Sequence, residues 1–170
     1  WCGVRSYLAL NVIVYDDELE IVREICDAAK AARVDAIIAS DISAIEYASA
    51  IGLEVNIAVQ ANVSNIGAVR FFSRYADVMV LARELTLEQI TTIGNAIREE
   101  NITGPSGKLI QIELFTHGAL CVAISGKCYM SLGCYNQSAN RGACSQNCRR
   151  AHRLGAGETA DELARPHQPP

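Results

Sequence analysis

Five short apolar runs alternate with four amphipathic ones across the first 115 residues, and that alternation leaves few architectures open. Tyr7 to Val14, Val34 to Ala39, Leu53 to Val59, Asp77 to Ala82 and Leu109 to Phe115 read as strands. Between the first two, Asp17 to Ala32 reads as a helix, because Val22, Ile25, Cys26 and Ala29 recur at helical spacing on one face. Further helices are expected over Ile42 to Ile51, stopped by Gly52, over Ser64 to Tyr75, and from Thr86 through a stripe of Ile90, Ile93 and Ile97. Asp17 with Glu20 and Thr86 with Gln89 have the spacing of capping boxes, and Leu85 with Ile90 that of a hydrophobic staple. Strands alternating with helices imply a parallel sheet covered by helices. A β/α barrel and a doubly wound sheet both satisfy this pattern.

The next segment changes character. Cys121, Cys128, Cys144 and Cys148 fall within 28 residues that are otherwise rich in Gly, Ser, Asn and Arg. Thiolates favour zinc, copper or iron–sulfur clusters over hard cations. Only Cys144 and Cys148 have the tight spacing of a structural zinc pair, and the gaps are not those of a ferredoxin run. Spacing alone therefore indicates a thiolate site and leaves its metal open, with disulfides or inert thiols as the alternative. Cys26 reads as core, Cys2 as incidental, and Cys134 as an unpatterned cysteine.

The formal net charge of −4 argues against a broadly basic nucleic-acid binder but not against a local basic patch. No apolar run reaches the ~18 residues of a membrane span. Seven cysteines, with no secretory pattern at the start, fit a reducing cytoplasm. After Arg150 the composition turns to Gly, Glu, Ala, His and Pro, so residues 151–170 are expected to be a disordered tail.

In parallel β/α folds, chemistry collects at the carboxyl ends of the strands. Asn11, Asp41, Gln60, Arg83 with Glu84, and Glu113 with His117 occupy those positions. Asp41 serves equally well as a helix N-cap. Arg141, Arg149, Arg150 and Arg153 cluster beside the cysteines, where guanidinium groups would grip carboxylate or phosphate. There is no His-Glu-x-x-His and no Gly-x-Ser-x-Gly, so a peptidase has little support from motifs.

Glu113-Leu-Phe-Thr-His117-Gly-Ala-Leu-Cys121, Ser125-Gly-Lys-Cys128-Tyr-Met-Ser131 and Ser138-Ala-Asn-Arg-Gly142, with Cys144, Gln146, Cys148 and Arg149, form a dense pattern. Together with Gln60, Asn65 and Leu81-Ala-Arg-Glu84-Leu, this pattern resembles the collagenase-like peptidase family, U-thirty-two, over about residues 7 to 151. The resemblance implies an incomplete β/α (TIM-type) barrel over residues 1–115, with about five of eight strands, and a cysteine-rich cluster-binding loop over 116–150. On the same resemblance this chain is expected to be a fragment, inactive alone, that would need the missing parts of its own barrel or a partner protein.

It further implies an iron–sulfur cluster, of 4Fe-4S type, on Cys121, Cys128 and Cys144, with Cys148 or a cysteine elsewhere as the fourth ligand. The activity it implies is RNA hydroxylation. The first candidate is a tRNA uridine with prephenate as co-substrate; an rRNA cytidine or a small-molecule quinone precursor are others. On that reading His117, Glu113 and Gln60 are the catalytic candidates. Arg141, Arg149, Arg150, Asn11, Asp41 and Glu84 would bind substrate. A peptidase, as the family name says, and a non-catalytic cluster scaffold are the alternatives.

Overall fold

In a computed structural model that describes residues 3–118 and 121–150, the alternating segments form one five-stranded parallel sheet. The strands are β1 (Tyr7–Leu10), β2 (Ala36–Ala39), β3 (Val55–Ile57), β4 (Val78–Val80) and β5 (Gln111–Glu113). The helices between them are α1 (Leu19–Ala31), α2 (Ile42–Ala50), α3 (Ile66–Phe72) and α4 (Leu87–Glu99). Spatial order follows chain order, β1-β2-β3-β4-β5. A doubly wound sheet reverses its strand order at a switch point, and this one does not. All four helices share one core with the same face of the strands, so they lie on a single face of the sheet. β1 and β5 each pair on one side only, so the described sheet is open, with two edges.

Alternation along the strands then sorts the side chains. Leu10, Ile37, Ala39, Val55, Ile57 and Met79 share one core with Val22, Cys26, Ala44, Ile45, Val69, Ile93 and Ile97 from the helices. The registers Ala39↔Ile57↔Met79↔Ile112 carry this face across four strands. The opposite face holds Ile38↔Asn56↔Val78↔Gln111, and there Tyr7, Ala9, Gln111 and Glu113 are exposed. Cys26 is fully buried, as its helical position predicts, and burial pushes its thiol pKa up.

Where the elements differ from expectation, competing bonds explain it. The first strand stops at Leu10, because the Ile13 N–H donates to the Asn140 carbonyl and the Val14 N–H to Asp41 Oδ2. Glu18, not Glu20, reaches back, its Oε2 accepting the Tyr15 N–H at 2.9 Å, so the Asp17/Glu20 box is replaced by a short 3-10 turn ahead of α1. α3 starts at Ile66 rather than Ser64, because Asn65 caps it by accepting the Ala68 N–H at 2.9 Å. The Thr86/Gln89 box forms as read, and Gly52 ends α2 at φ +72°.

The cysteine segment is not a plain loop. It contains α5 (Met130–Tyr135) and 3-10 turns at Ala139–Arg141 and Asn147–Arg149. Six helical residues are too few to show a periodic stripe in sequence. The expected tail, 151–170, lies outside the described residues, as does Cys2. Among the described residues no helix is long and apolar enough to cross a membrane.

Truncating the shared core tests this packing. Ile57→Ala or Met79→Ala, both at sites with no exposed surface, is expected to lower stability by about 2–5 kcal/mol. Leu87→Ala, on a side chain 80% exposed, should change it by less than about 0.5 kcal/mol. Urea midpoints at constant m-value read both.

Candidate functional site

The segment carrying the cysteines lies against the carboxyl ends of three strands. The first attachment is Ser125, which is fully buried. Its N–H donates to Glu84 Oε1 at 2.5 Å and its hydroxyl to Glu84 Oε2 at 3.3 Å. The same hydroxyl accepts from the Arg83 backbone N–H and Nε, at 3.4 and 3.3 Å. Arg83 and Glu84 follow β4, so β4 fixes where Ser125 sits. Burial pushes the Glu84 carboxyl up, but N–H donors from its own backbone and Ser125, the Ser125 hydroxyl and the Arg83 charge outweigh it, and the net shift is downward.

Gly126 makes the second attachment. It sits at φ +72° on the backbone of Gln60, just past β3, and a Cβ there would lie 2.1 Å from the Gln60 carbonyl oxygen. Only glycine allows that approach. The third attachment reaches β1. Arg141 donates through Nη1 and Nη2 to Glu18 at 2.6 and 2.5 Å and through Nη1 to the Ile13 carbonyl at 3.1 Å. Its guanidinium also stacks 3.9 Å above the Tyr15 ring. This forked pair holds the Glu18 carboxyl at a pKa of about 2, against an ordinary 4.5, chiefly through the Arg141 hydrogen bonds and the Tyr15 N–H. Within the segment, the Asn140 side-chain oxygen accepts the Cys128 N–H at 3.1 Å and Ser131 Oγ the Ser145 N–H at 3.0 Å.

Between the segment and the strand ends lies an open cavity of about 520 Å³. Cys121, Cys128, Cys144 and Cys148 all line it, with Gln60 and Arg83 from the strand ends. The Gln60 Oε1 is buried without a hydrogen-bond partner. The Cys121 thiol is shifted toward thiolate, first by the Ala123 N–H and then by Arg83 and Arg149, against the opposing effect of burial. Among the described residues, no three Cys, His, Asp or Glu side chains converge closely enough to hold one metal ion. The four thiols thus share a cavity without sharing a single coordination point. Thiols are soft donors of the kind that zinc, copper and iron–sulfur clusters take, so the lining by itself leaves the choice of metal open.

The strand-end residues read from the sequence divide. Gln60, Arg83 and Glu84 meet the cysteine segment, while Asp41 is occupied locally. Its Oδ1 caps α2 by accepting the Ser43 N–H at 2.9 Å, and its Oδ2 accepts from Val14. Asn11, Glu113 and His117 do not line the cavity, and Glu113 and His117 are exposed. Of the arginines, Arg141 is committed to Glu18, Arg149 donates to the Gln146 side chain at 3.0 Å, and Arg150 to the Tyr135 hydroxyl at 2.8 Å. Arg153 lies outside the described residues. Cys134 is exposed and does not line the cavity.

Residue-by-residue reading passed over Ser125, Gly126, Asn140, Glu18 and Tyr15 as parts of the site. Ser125-Gly126, one residue removed from a metal-type cysteine, was the available signal for a buried hydroxyl and a tight backbone approach.

Comparison with known proteins agrees with the pattern. The model of the family described as Peptidase family U32 matches residues 2–168. A protein named collagenase from Porphyromonas gingivalis is 52% identical over 161 residues, which are 95% of this chain and 39% of that one. A 23S rRNA 5-hydroxycytidine synthase from Escherichia coli is 37% identical over 153 residues, 89% of this chain and 22% of that one. The tRNA hydroxylation protein P1 of Bacillus subtilis is 30% identical over 165 residues, 95% of this chain and 36% of that one. The chain therefore spans about two fifths or less of the length of these relatives. No solved structure matches it.

Two outcomes test the geometry. Gly126→Ala should cost more than about 1 kcal/mol, because the Cβ meets backbone and φ is positive; a urea midpoint measures it. The Glu18 carboxyl titrates lower in the folded chain than in the unfolded one, so its contribution is complete above pH 4.5 and vanishes as pH falls toward 2. The parent should therefore lose urea resistance faster than Glu18→Gln over that window.

Proposed function

The chain belongs to peptidase family U32, and on that premise we propose that it carries the cluster-binding part of an iron–sulfur RNA hydroxylation enzyme. The observation that carries this reading is the convergence of Cys121, Cys128, Cys144 and Cys148 on one cavity beyond the ends of β3 and β4. On this reading the first three hold a 4Fe-4S cluster, with Cys148 or a cysteine outside this chain as fourth ligand. Such a cluster, when bound, supplies a site for electron transfer or for holding the species that delivers oxygen.

The chain's own residues shape that site. Glu84 and Ser125 fix the segment between Cys121 and Cys128, and Gly126 presses it onto Gln60. Arg83 and Arg149 offset thiolate charge near Cys121. Gln60 offers the cavity a carbonyl oxygen with no other partner, suited to an N–H or O–H of the substrate. Arg149 and Arg150 bind phosphate or the carboxylates of prephenate. His117 and Glu113, exposed past and on β5, reach the reaction only through parts of a completed site. The sequential strand order supports an incomplete β/α barrel whose remaining strands come from elsewhere in the whole protein or from a partner.

On this reading the substrate is RNA, since relatives named for tRNA and for rRNA hydroxylation share this region at 30% and 37% identity; tRNA is taken first because several relatives carry that name, and rRNA next. The 52% identity to a collagenase-named protein favours a second reading, a peptidase acting without iron. The two readings separate in one experiment. Anaerobically purified protein should carry about four iron and four acid-labile sulfide per chain. Cys121→Ser, Cys128→Ser or Cys144→Ser should abolish the cluster's visible absorbance, while Cys134→Ser leaves it intact. Folded protein with neither iron nor sulfide, together with gelatin cleavage that survives chelation, would establish the peptidase instead.

A further inference from the structure

Charge on this chain is segregated. Residues 1–120 contain nine Lys or Arg against sixteen Asp or Glu, whereas residues 121–150 contain four basic residues and no acidic one. The basic stretch is the segment that covers the strand ends. Arg141 is spent inside the fold on Glu18, which leaves Lys127, Arg149 and Arg150, all exposed. Interleaved with them are two exposed aromatic side chains. Tyr129 stands at the cavity wall, 68% exposed, one residue after Cys128. Tyr135, at the end of α5, is 43% exposed, with the Arg150 guanidinium 5.6 Å from its ring centre and bonded to its hydroxyl.

Exposed aromatic rings among cations with no nearby carboxylate of their own segment are poorly explained by solubility. They do match the way single-stranded nucleic acid is held: unpaired bases stack on aromatic faces while cations track the phosphates. A duplex, with its base faces already stacked, gains nothing from Tyr129.

We propose that Tyr129, Tyr135 and Arg150, flanked by Lys127 and Arg149, form a stacking platform for a single-stranded RNA segment at the mouth of the cysteine cavity. This inference rests on the RNA reading above and goes beyond it in naming the surface and the strandedness. Tyr129 holds a base at the cavity wall. Tyr135 and Arg150 together hold a neighbouring nucleotide by stacking and phosphate contact, with Arg150 already oriented by the Tyr135 hydroxyl.

Fluorescence anisotropy with a labelled oligouridylate of about 12 nucleotides, and with an RNA duplex of the same length, tests the platform without requiring turnover. The single strand should bind at least roughly tenfold tighter than the duplex. Tyr129→Ala and Tyr135→Ala should each weaken it by about 5- to 100-fold, while Tyr129→Phe, which keeps the ring, stays close to the parent. Lys127→Ala and Arg149→Ala should each reduce the slope of log affinity against log salt by about 0.7, and the tyrosine variants should leave that slope unchanged.

Tyr129→Ala binding within about twofold of the parent, equal affinity for the duplex, or displacement of the RNA by gelatin would each overturn the proposal. Tyrosine-dependent RNA binding by protein that holds no iron would leave the platform standing and remove the cluster. Iron-loaded protein whose RNA binding ignores both tyrosines would do the reverse.

Discussion

The cysteine cavity depends on one buried hydroxyl. Ser125 has no exposed surface, and the Glu84 carboxylate and the Arg83 N–H groups are what satisfy it. Leaving such a group unpaired costs about 1–3 kcal/mol, so the segment gains little from any other position while Glu84 is in place. Ser125 lies between Cys121 and Cys128, and its neighbour Gly126 can seat on Gln60 only because it lacks a side chain. One interaction at the end of β4 and one at the end of β3 thus locate two thiols. The Arg141–Glu18 fork then closes the far side against the start of α1. Stability and site geometry are therefore the same set of contacts here.

The sheet divides the molecule into two chemical halves. Its helix-bearing face is a continuous apolar core, and nothing there requires a ligand. Its other face mixes buried Ala36 and Val80 with exposed Gln111 and Glu113, and with Asn56, whose side-chain oxygen is buried and unpartnered. Among the described residues the sheet thus keeps two open edges and, on this face, a buried amide oxygen without a partner. The cysteine segment covers the strand ends of that half, which concentrates basic and polar groups at one end of an otherwise acidic body.

Much of the fold was legible in the chain. Short apolar runs and helical stripes located the five described strands and the four helices between them, and the Thr86/Gln89 box marked its helix start to the residue. The strand ends were not legible, because Ile13 and Val14 look as apolar as the strand they follow but bond to Asn140 and Asp41. The four cysteines that share the cavity stood out by composition. Asp41 shows the limit: a carboxylate at a strand end reads alike as ligand or cap, and only the Ser43 and Val14 N–H groups settle where its oxygens go. Arg141 shows it again, since its partner Glu18 lies 123 positions away and no local pattern connects them.

The most direct measurement of the central claim, that Ser125 pins the cysteine segment to β4, is amide hydrogen exchange at Ser125. Its N–H belongs to a fully buried residue and is given to the Glu84 carboxylate at 2.5 Å, so it should exchange only with the opening that also exposes the amides of β3 and β4, and Glu84→Ala should release it alone. Exchange at the rate of an unprotected amide in the parent, with the sheet still protected, would mean that the segment is not docked and that the cavity is not a built site.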